Sequence, residues 1–277
     1  MRNASNHLQS SLRRPFSRAS QDDRLVLDDL RDEGVHVTTL DRLLPAPVAR
    51  SVIARAGELL RSDDSRVKPG LWSRSVSSTD LDPRVMLESA PELYLVGLHP
   101  ALLRLAKQYL ALPVAYHGAV LRHSRIDGER AGPRIWHQDA EDFHVLRVVV
   151  YLSDVTAGAG PFEYIPRHRN LTYRKLGAAA HELTDERMSS VMPPEEWRRC
   201  LGPAGTVVLA DTAKVFHHES LQVDTERFVI MIGYSSSRPS GLDLAMQHFP
   251  VERLQSQLTP LVPLELHPHV FGWRRAA

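Results

Sequence analysis

Five short apolar runs in the second half of the chain set its architecture. Residues 114–126 (VAYHGAVLRHSRI), 146–155 (LRVVVYLSDV), 162–166 (FEYIP), 205–211 (GTVVLAD) and 227–235 (RFVIMIGYS) are rich in β-branched and aromatic side chains. Turns containing Gly and Pro, such as TAGAGP after Val155, separate them. Runs of this length and make-up read as strands, and their succession predicts a sandwich or barrel rather than a parallel α/β sheet. The first half has a longer period. Leu25, Leu27 and Leu30 fall at helical spacing within the charged segment 21–32, and residues 45–60 place apolar side chains on one helical face with Gly57 as a tolerated exception. Residues 91–110 predict one or two helices interrupted at Pro100. Between these lie a short strand at 34–40 and a polar segment, 62–83, broken by Pro69, Gly70 and Pro83, which reads as loop. A helical insert is expected near 173–200, and a short Pro-containing tail after about residue 240.

The resulting expectation is an all-β core with supporting helices. Residues 21–112 form a helical support region, 113–240 the β core and 241–277 a C-terminal extension of one domain. Residues 1–20 carry four arginines, several serines and no acid, and read as a disordered tail, although organellar transit peptides share that composition.

Bulk composition narrows the function more by exclusion than by suggestion. The 277 residues carry a net charge of +1, so no global field points to nucleic acid or a membrane surface. No apolar stretch approaches the roughly 20 residues needed to span a bilayer. A single cysteine, Cys200, rules out a disulfide framework or a cysteine-rich zinc site. It fits a reducing compartment, so a cytoplasmic location is expected. Cys200 itself is expected to be buried or inert.

Fourteen histidines leave one with distinctive neighbours. In IWHQD (135–139), just before a strand, His137 and Asp139 are two residues apart. On an extended backbone that spacing projects both side chains to one face. An imidazole and a carboxylate on one face supply two ligands of a metal site, and FHHES (216–220) offers the third. Two histidines and one carboxylate on one side of an octahedral ion make the facial triad of non-haem Fe(II) oxygenases, which leaves three positions open. A 2-oxo acid fills two of them and O2 the third. The distal carboxylate of 2-oxoglutarate then needs a buried, bidentate cation. Arg227, ten residues after His217 at the head of an apolar run, suits that task. Chance alone supplies roughly one His-x-Asp triplet in such a chain, so the order of the parts carries the signal.

These segments, WHQD, YLSDVTAGAGPFEYIPRH (151–168) and GTVVLADTAKVFHH (205–218) together with Arg227, resemble the phytanoyl-CoA dioxygenase-like family of Fe(II)/2-oxoglutarate-dependent oxygenases. The resemblance covers about residues 114–236 and is strongest at 133–170 and 202–234. It implies a double-stranded β-helix, or jelly roll, with iron at its open mouth. It implies His137, Asp139 and one of His217 and His218 as ligands, with Arg227 on the co-substrate. The family often carries serine two residues after the distal histidine. Here Glu219 follows His217 at that distance, and Ser220 follows His218. The arginine spacing and Phe216 favour His217, whereas the serine favours His218. His217 is taken as the ligand. Halogenating relatives replace the carboxylate ligand with a small residue, so Asp139 implies hydroxylation.

Among other residues, Arg122 on the 114–126 strand could reach a co-substrate or substrate carboxylate, or could be a solvated charge on an outer strand. Strict alternation puts it on one face with Tyr116 and Ser124. Tyr116 and Trp136 are substrate-pocket candidates, although Trp136 could equally pack in the core. Glu141, Asp142 and His144 read as an acidic turn, and Arg167, His168 and Arg169 as a solvated loop or a basic rim. Lys214 could point into the site or away from it. The expected substrate is a small metabolite or natural-product intermediate. Competing readings are a non-catalytic cupin-like protein binding a metal or small ligand and, last, a zinc hydrolase. Oligomeric state has no signature.

Overall fold

The computed structural model describes residues 21–61, 67–69, 78–177 and 183–274. The expectations for residues 1–20 and for most of the 62–77 loop fall outside the described residues.

Among the described residues ten strands follow one another: β1 (Val35–Thr39), β2 (Val67–Pro69), β3 (Ser78–Leu81), β4 (Val114–Ser124), β5 (Leu146–Tyr151), β6 (Phe162–Tyr164), β7 (Arg198–Cys200), β8 (Thr206–Asp211), β9 (His217–Glu219) and β10 (Arg227–Ser236). Seven form one sheet in the order β1-β8-β5-β10-β4-β3-β2, and three form another in the order β7-β6-β9. Every ladder is antiparallel. The sheets face each other as a jelly roll. Val149, Tyr151, Val208, Ala210 and Val229 from the large sheet meet Phe162, Tyr164 and Cys200 from the small one in a shared core. Tyr151 crosses the gap and donates its hydroxyl to the Cys200 carbonyl at 2.7 Å.

The opposite face of the large sheet is also covered. Leu146, Val148, Val150, Val207, Leu209, Ile230 and Ile232 pack on Leu27 and Leu30 of α1 (Gln21–Asp32), on Val52 and Ala56 of α2 (Ala46–Arg61), and on leucines of the Pro100–Leu110 helix. Burial on both faces explains why the central strands read as continuous apolar runs instead of alternating ones. The 91–110 run is divided just before Pro100 as expected, into a helical piece over 92–98 and the helix Pro100–Leu110, which Pro100 opens because a first-turn residue needs no N–H partner.

Three expectations change. Residues Ser78–Leu81 of the predicted loop form β3, and all four are buried. Their polarity hides a strand because Asp80 sits opposite Arg122 of β4 and the two charges pair internally. The segment after residue 240 is not a tail. It forms helices Leu242–Gln247 and Val251–Leu261 and a wide closing turn, Pro268–Gly272, which seat Phe249 and Trp273 against the sheet. Alternation on β4 also fails. Gly118 pairs with Gly233 but Tyr116 pairs with Tyr234, so His117 is an extra residue, and Gly118 takes φ +108°. This bulge reverses the parity. Tyr116, Ala119 and Leu121 face the helices, whereas Arg122 and Ser124 lie level with Val229 and Arg227 of β10.

Tyr116 is therefore a core residue and not a pocket candidate. It is fully buried and donates to the Tyr94 carbonyl at 2.6 Å. Its ring leaves no room over Gly97, where an added Cβ would lie 2.5 Å from it, and the Gly97 carbonyl accepts the Tyr234 hydroxyl at 2.6 Å. Gly97→Ala should destabilise the protein by about 1–3 kcal/mol through overpacking, measured as a lower midpoint in urea unfolding with an unchanged slope.

Candidate metal centre

Two reciprocal backbone hydrogen bonds, each 3.0 Å, join His137 to His217 and pull segments eighty positions apart into one short ladder. The Asp139 amide adds a third, to the Thr212 carbonyl at 2.9 Å. The backbone thereby brings His137, Asp139 and His217 together, with one ligand atom from each lying within 4.8 Å of the others. The Nε2 of His137 is 3.8 Å from Oδ1 of Asp139.

The remaining atoms of all three side chains are committed elsewhere. The Nδ1 of His137 donates to the Ile135 carbonyl at 2.6 Å, and the Nδ1 of His217 to the Val215 carbonyl at 3.2 Å. Because a carbonyl only accepts, both rings keep the proton on Nδ1 and present Nε2 as a lone pair. Asp139 Oδ2 accepts from Arg147 Nε at 3.0 Å and from Thr212 Oγ1 at 2.6 Å, leaving Oδ1 on the histidine side. Burial and the neighbouring His137 push the His217 imidazole down to about 3. Burial opposes ionisation of Asp139, but Arg147, His217 and His137 outweigh it and hold its carboxyl well below the ordinary range. Two imidazoles, each with Nδ1 turned to a carbonyl, converge with a carboxylate, a donor set of the kind that binds a divalent iron.

His218 points the other way. Its ring stacks on Trp136 at 3.9 Å between centroids, and its Nε2 lies 2.9 Å from Glu163. Ser220 donates to the same Glu163 carboxylate at 3.1 Å, so the serine that favoured His218 in the sequence belongs to the outward face. Trp136 packs there with Leu176, Leu183, Met188 and Phe216 and gives its indole N–H to Asp185 at 2.9 Å. It is a core residue and walls no pocket beside the ligands.

Arg227 is buried on the inner face at the start of β10, and its Nε has no partner among the described residues. An unpartnered buried guanidinium nitrogen suits an anionic ligand. The same side chain touches Glu219 through Nη2. Burial opposes charge on Glu219, but Arg227 leads the groups that hold its carboxyl below the ordinary value. Arg122 is not solvated either. It clamps Asp80 bidentately at 2.7 and 2.9 Å in the interior, so its Nε and Nη2 are spent on an internal carboxylate.

Sequence reasoning missed Arg147, Thr212 and His248. Arg147 links Asp139 to Glu141, 2.5 Å away, and to His248 Nε2 at 2.7 Å. Burial and Arg147 push the His248 imidazole below its ordinary value against the pull of Glu141. Arginine inside the run LRVVVYL was the available signal. The acidic turn is also overturned. Glu141 and Asp142 are buried, and Asp142 accepts the Ser236 amide at 3.1 Å. His144 reaches the fully buried Asp211 at 2.5 Å. Lys214 lies over the Phe143 ring at 3.1 Å. His168 and Arg169 pair with Glu33 at 3.1 Å and Glu196 at 2.6 Å. Burial pushes the Cys200 thiol up to about 12, which keeps it inert.

No family model matches the chain. L-proline trans-4-hydroxylase of Streptomyces griseoviridis is 28% identical over 193 residues, covering 60% of this chain and 70% of the relative. Among solved structures, EctD from S. alaskensis with bound Fe is 18% identical with a TM-score of 0.55, over 82% of this chain and 83% of that one. The non-haem α-ketoglutarate-dependent epimerase SnoN from nogalamycin biosynthesis is 15% identical with a TM-score of 0.55, over 79% and 84%. HygX from Streptomyces hygroscopicus, with nickel and 2-oxoglutarate bound, is 14% identical at the same TM-score, over 79% and 88%. At these identities the structural likeness speaks for the fold. Among the described residues, no helix is long and apolar enough to cross a membrane.

Thr212→Val removes the hydroxyl on Asp139 with little change of shape. It should weaken Fe(II) binding about 10- to 100-fold, measured by anaerobic metal titration, with the far-UV spectrum unchanged.

Proposed function

We propose that this chain is an Fe(II)/2-oxoglutarate-dependent dioxygenase of the phytanoyl-CoA dioxygenase-like kind. In this reading it hydroxylates an unactivated C–H bond of a small metabolite or natural-product intermediate, consuming O2 and releasing succinate and CO2. The observation that carries this reading is the convergence of His137, Asp139 and His217, with both imidazoles presenting Nε2. The proline hydroxylase relative adds support for a small substrate.

Iron and 2-oxoglutarate, when bound, supply the oxidising power that no side chain has. The chain's share is binding, orientation and exclusion of water. His137, Asp139 and His217 would hold the ion. Arg147 and Thr212 fix which Asp139 oxygen faces it. Arg227, buried with an unpartnered Nε, would hold the far carboxylate of the co-substrate. Phe162, stacked on His217 at 5.2 Å, and Val229 on the inner face keep the surroundings apolar.

Purified protein loaded with Fe(II) under air should form succinate from 2-oxoglutarate, at least slowly without a primary substrate. Metal binding without any succinate across a broad panel of small metabolites would instead mark a binding protein. Asp139→Ala should abolish turnover. Arg227→Ala should raise the 2-oxoglutarate requirement by at least tenfold while leaving Fe(II) affinity nearly intact, since a buried charge-assisted pair contributes about 1.5–3 kcal/mol.

A further inference from the structure

The guanidinium assigned above to the co-substrate already has a carboxylate against it. Arg227 and Glu219 are both buried, and Nη2 of one meets Oε2 of the other. A second carboxylate arriving at Arg227 would share one cation with Glu219, and like charges so close in a buried site disfavour each other. Yet Glu219 has somewhere to go. Its Oε1 accepts from Gln222 Nε2 at 2.5 Å and stands 3.9 Å from Arg134 Nε. That Arg134 nitrogen is buried without a hydrogen-bond partner among the described residues. The rest of Arg134 is anchored. Its Nη1 donates to Asp127 at 2.5 Å and to the Glu129 carbonyl at 2.8 Å, and its Nη2 to the Arg125 carbonyl at 2.6 Å and to Gln222 Oε1 at 2.5 Å. Two buried N–H groups, one on each side of a single carboxylate, are therefore short of a partner.

We infer that Glu219 is a two-position counter-ion that covers Arg227 in the absence of co-substrate and withdraws towards Arg134, steadied by Gln222, when a 2-oxo dicarboxylate binds. The inference rests on the co-substrate reading above. Glu219 is then a positioning residue that sets selectivity between 2-oxo acids. A dicarboxylate must displace it, whereas a monocarboxylate 2-oxo acid, which reaches only the metal, does not meet it. The exchange conserves the number of buried ion pairs, because the carboxylate that leaves Arg227 is replaced by the ligand's own and regains an N–H at Arg134.

The test uses the full chain loaded with Fe(II) without oxygen, titrated with 2-oxoglutarate and with pyruvate by calorimetry, and melted with and without each. Glu219→Gln should bind 2-oxoglutarate at least about tenfold more tightly, equivalent to 1.4 kcal/mol. It should also show a larger rise in Tm on adding 2-oxoglutarate than the parent protein, while pyruvate affinity stays within about twofold. Glu219→Asp keeps the charge but withdraws it by one methylene, and should give a smaller gain in the same direction. An unchanged or weaker 2-oxoglutarate affinity in both variants, or an equal gain for pyruvate, overturns the role of Glu219 and leaves the co-substrate assignment standing. Absence of 2-oxoglutarate binding in the parent and both variants overturns the co-substrate assignment itself.

Discussion

The paired hydrogen bonds between His137 and His217 are the constraint on which the rest of the centre depends. Neither residue lies in the large sheet. His137 sits in an irregular segment before β5, and His217 opens the short strand β9. A ladder of two bonds would be marginal alone. It persists because both flanks are pinned: the Trp136 amide to the Leu183 carbonyl, the Asp139 amide to the Thr212 carbonyl, and the Ile165 amide to the Phe216 carbonyl. Each ligand is thus placed by backbone before any side chain acts. The Nδ1 tethers to Ile135 and Val215, each two residues upstream of its own histidine, then select the tautomer from the same local strand geometry.

Alternation around this ladder sorts the conspicuous residues into two environments. His217 and Glu219 project inward, while His218 and Ser220 project outward to Glu163. One frame of the FHHES segment belongs to the centre and the other to a satellite core. That core contains Trp136, Trp197, Leu183 and Met188 and is closed by the insert that interrupts the strands. Its covering function explains why Trp136, next to a ligand in sequence, is remote from it in role. The insert covers the outer face of β9 through Trp136, which stacks on His218.

Much of this was readable from residues alone because strands advertise themselves by composition and because His-x-Asp carries its geometry in its spacing. The sandwich-or-barrel core, its central strands and the His137–Asp139 pair follow from those two facts, whereas the jelly roll and the choice of His217 over His218 came with the family resemblance. What escaped did so for physical reasons that no local pattern encodes. One bulge at His117 reverses the parity of β4 and moves Tyr116 from pocket to core. Asp80 looked like loop because its charge is cancelled by Arg122, forty-two positions away. His248 reaches the centre from a segment whose prolines suggested a tail. Each failure involves a long-range partner, and propensity counts only neighbours in sequence.

Electrostatic closure ties these missed residues to the ones that were found. Arg147 is the hinge of the arrangement. On β5 it pairs opposite Gly233, where a Cβ would come within 2.2 Å of its Nη1. The glycine therefore gives the guanidinium the space to lie along the sheet and reach Asp139 and Glu141 together. A buried cation with two carboxylates and a lowered imidazole at its edge leaves the group one negative charge in excess, on the side where Asp139 Oδ1 faces the histidines. A divalent ion offsets that excess, whereas a hydrophobic substitution would not. Through His248, whose Nε2 lies 2.7 Å from Arg147, the C-terminal segment is part of the centre.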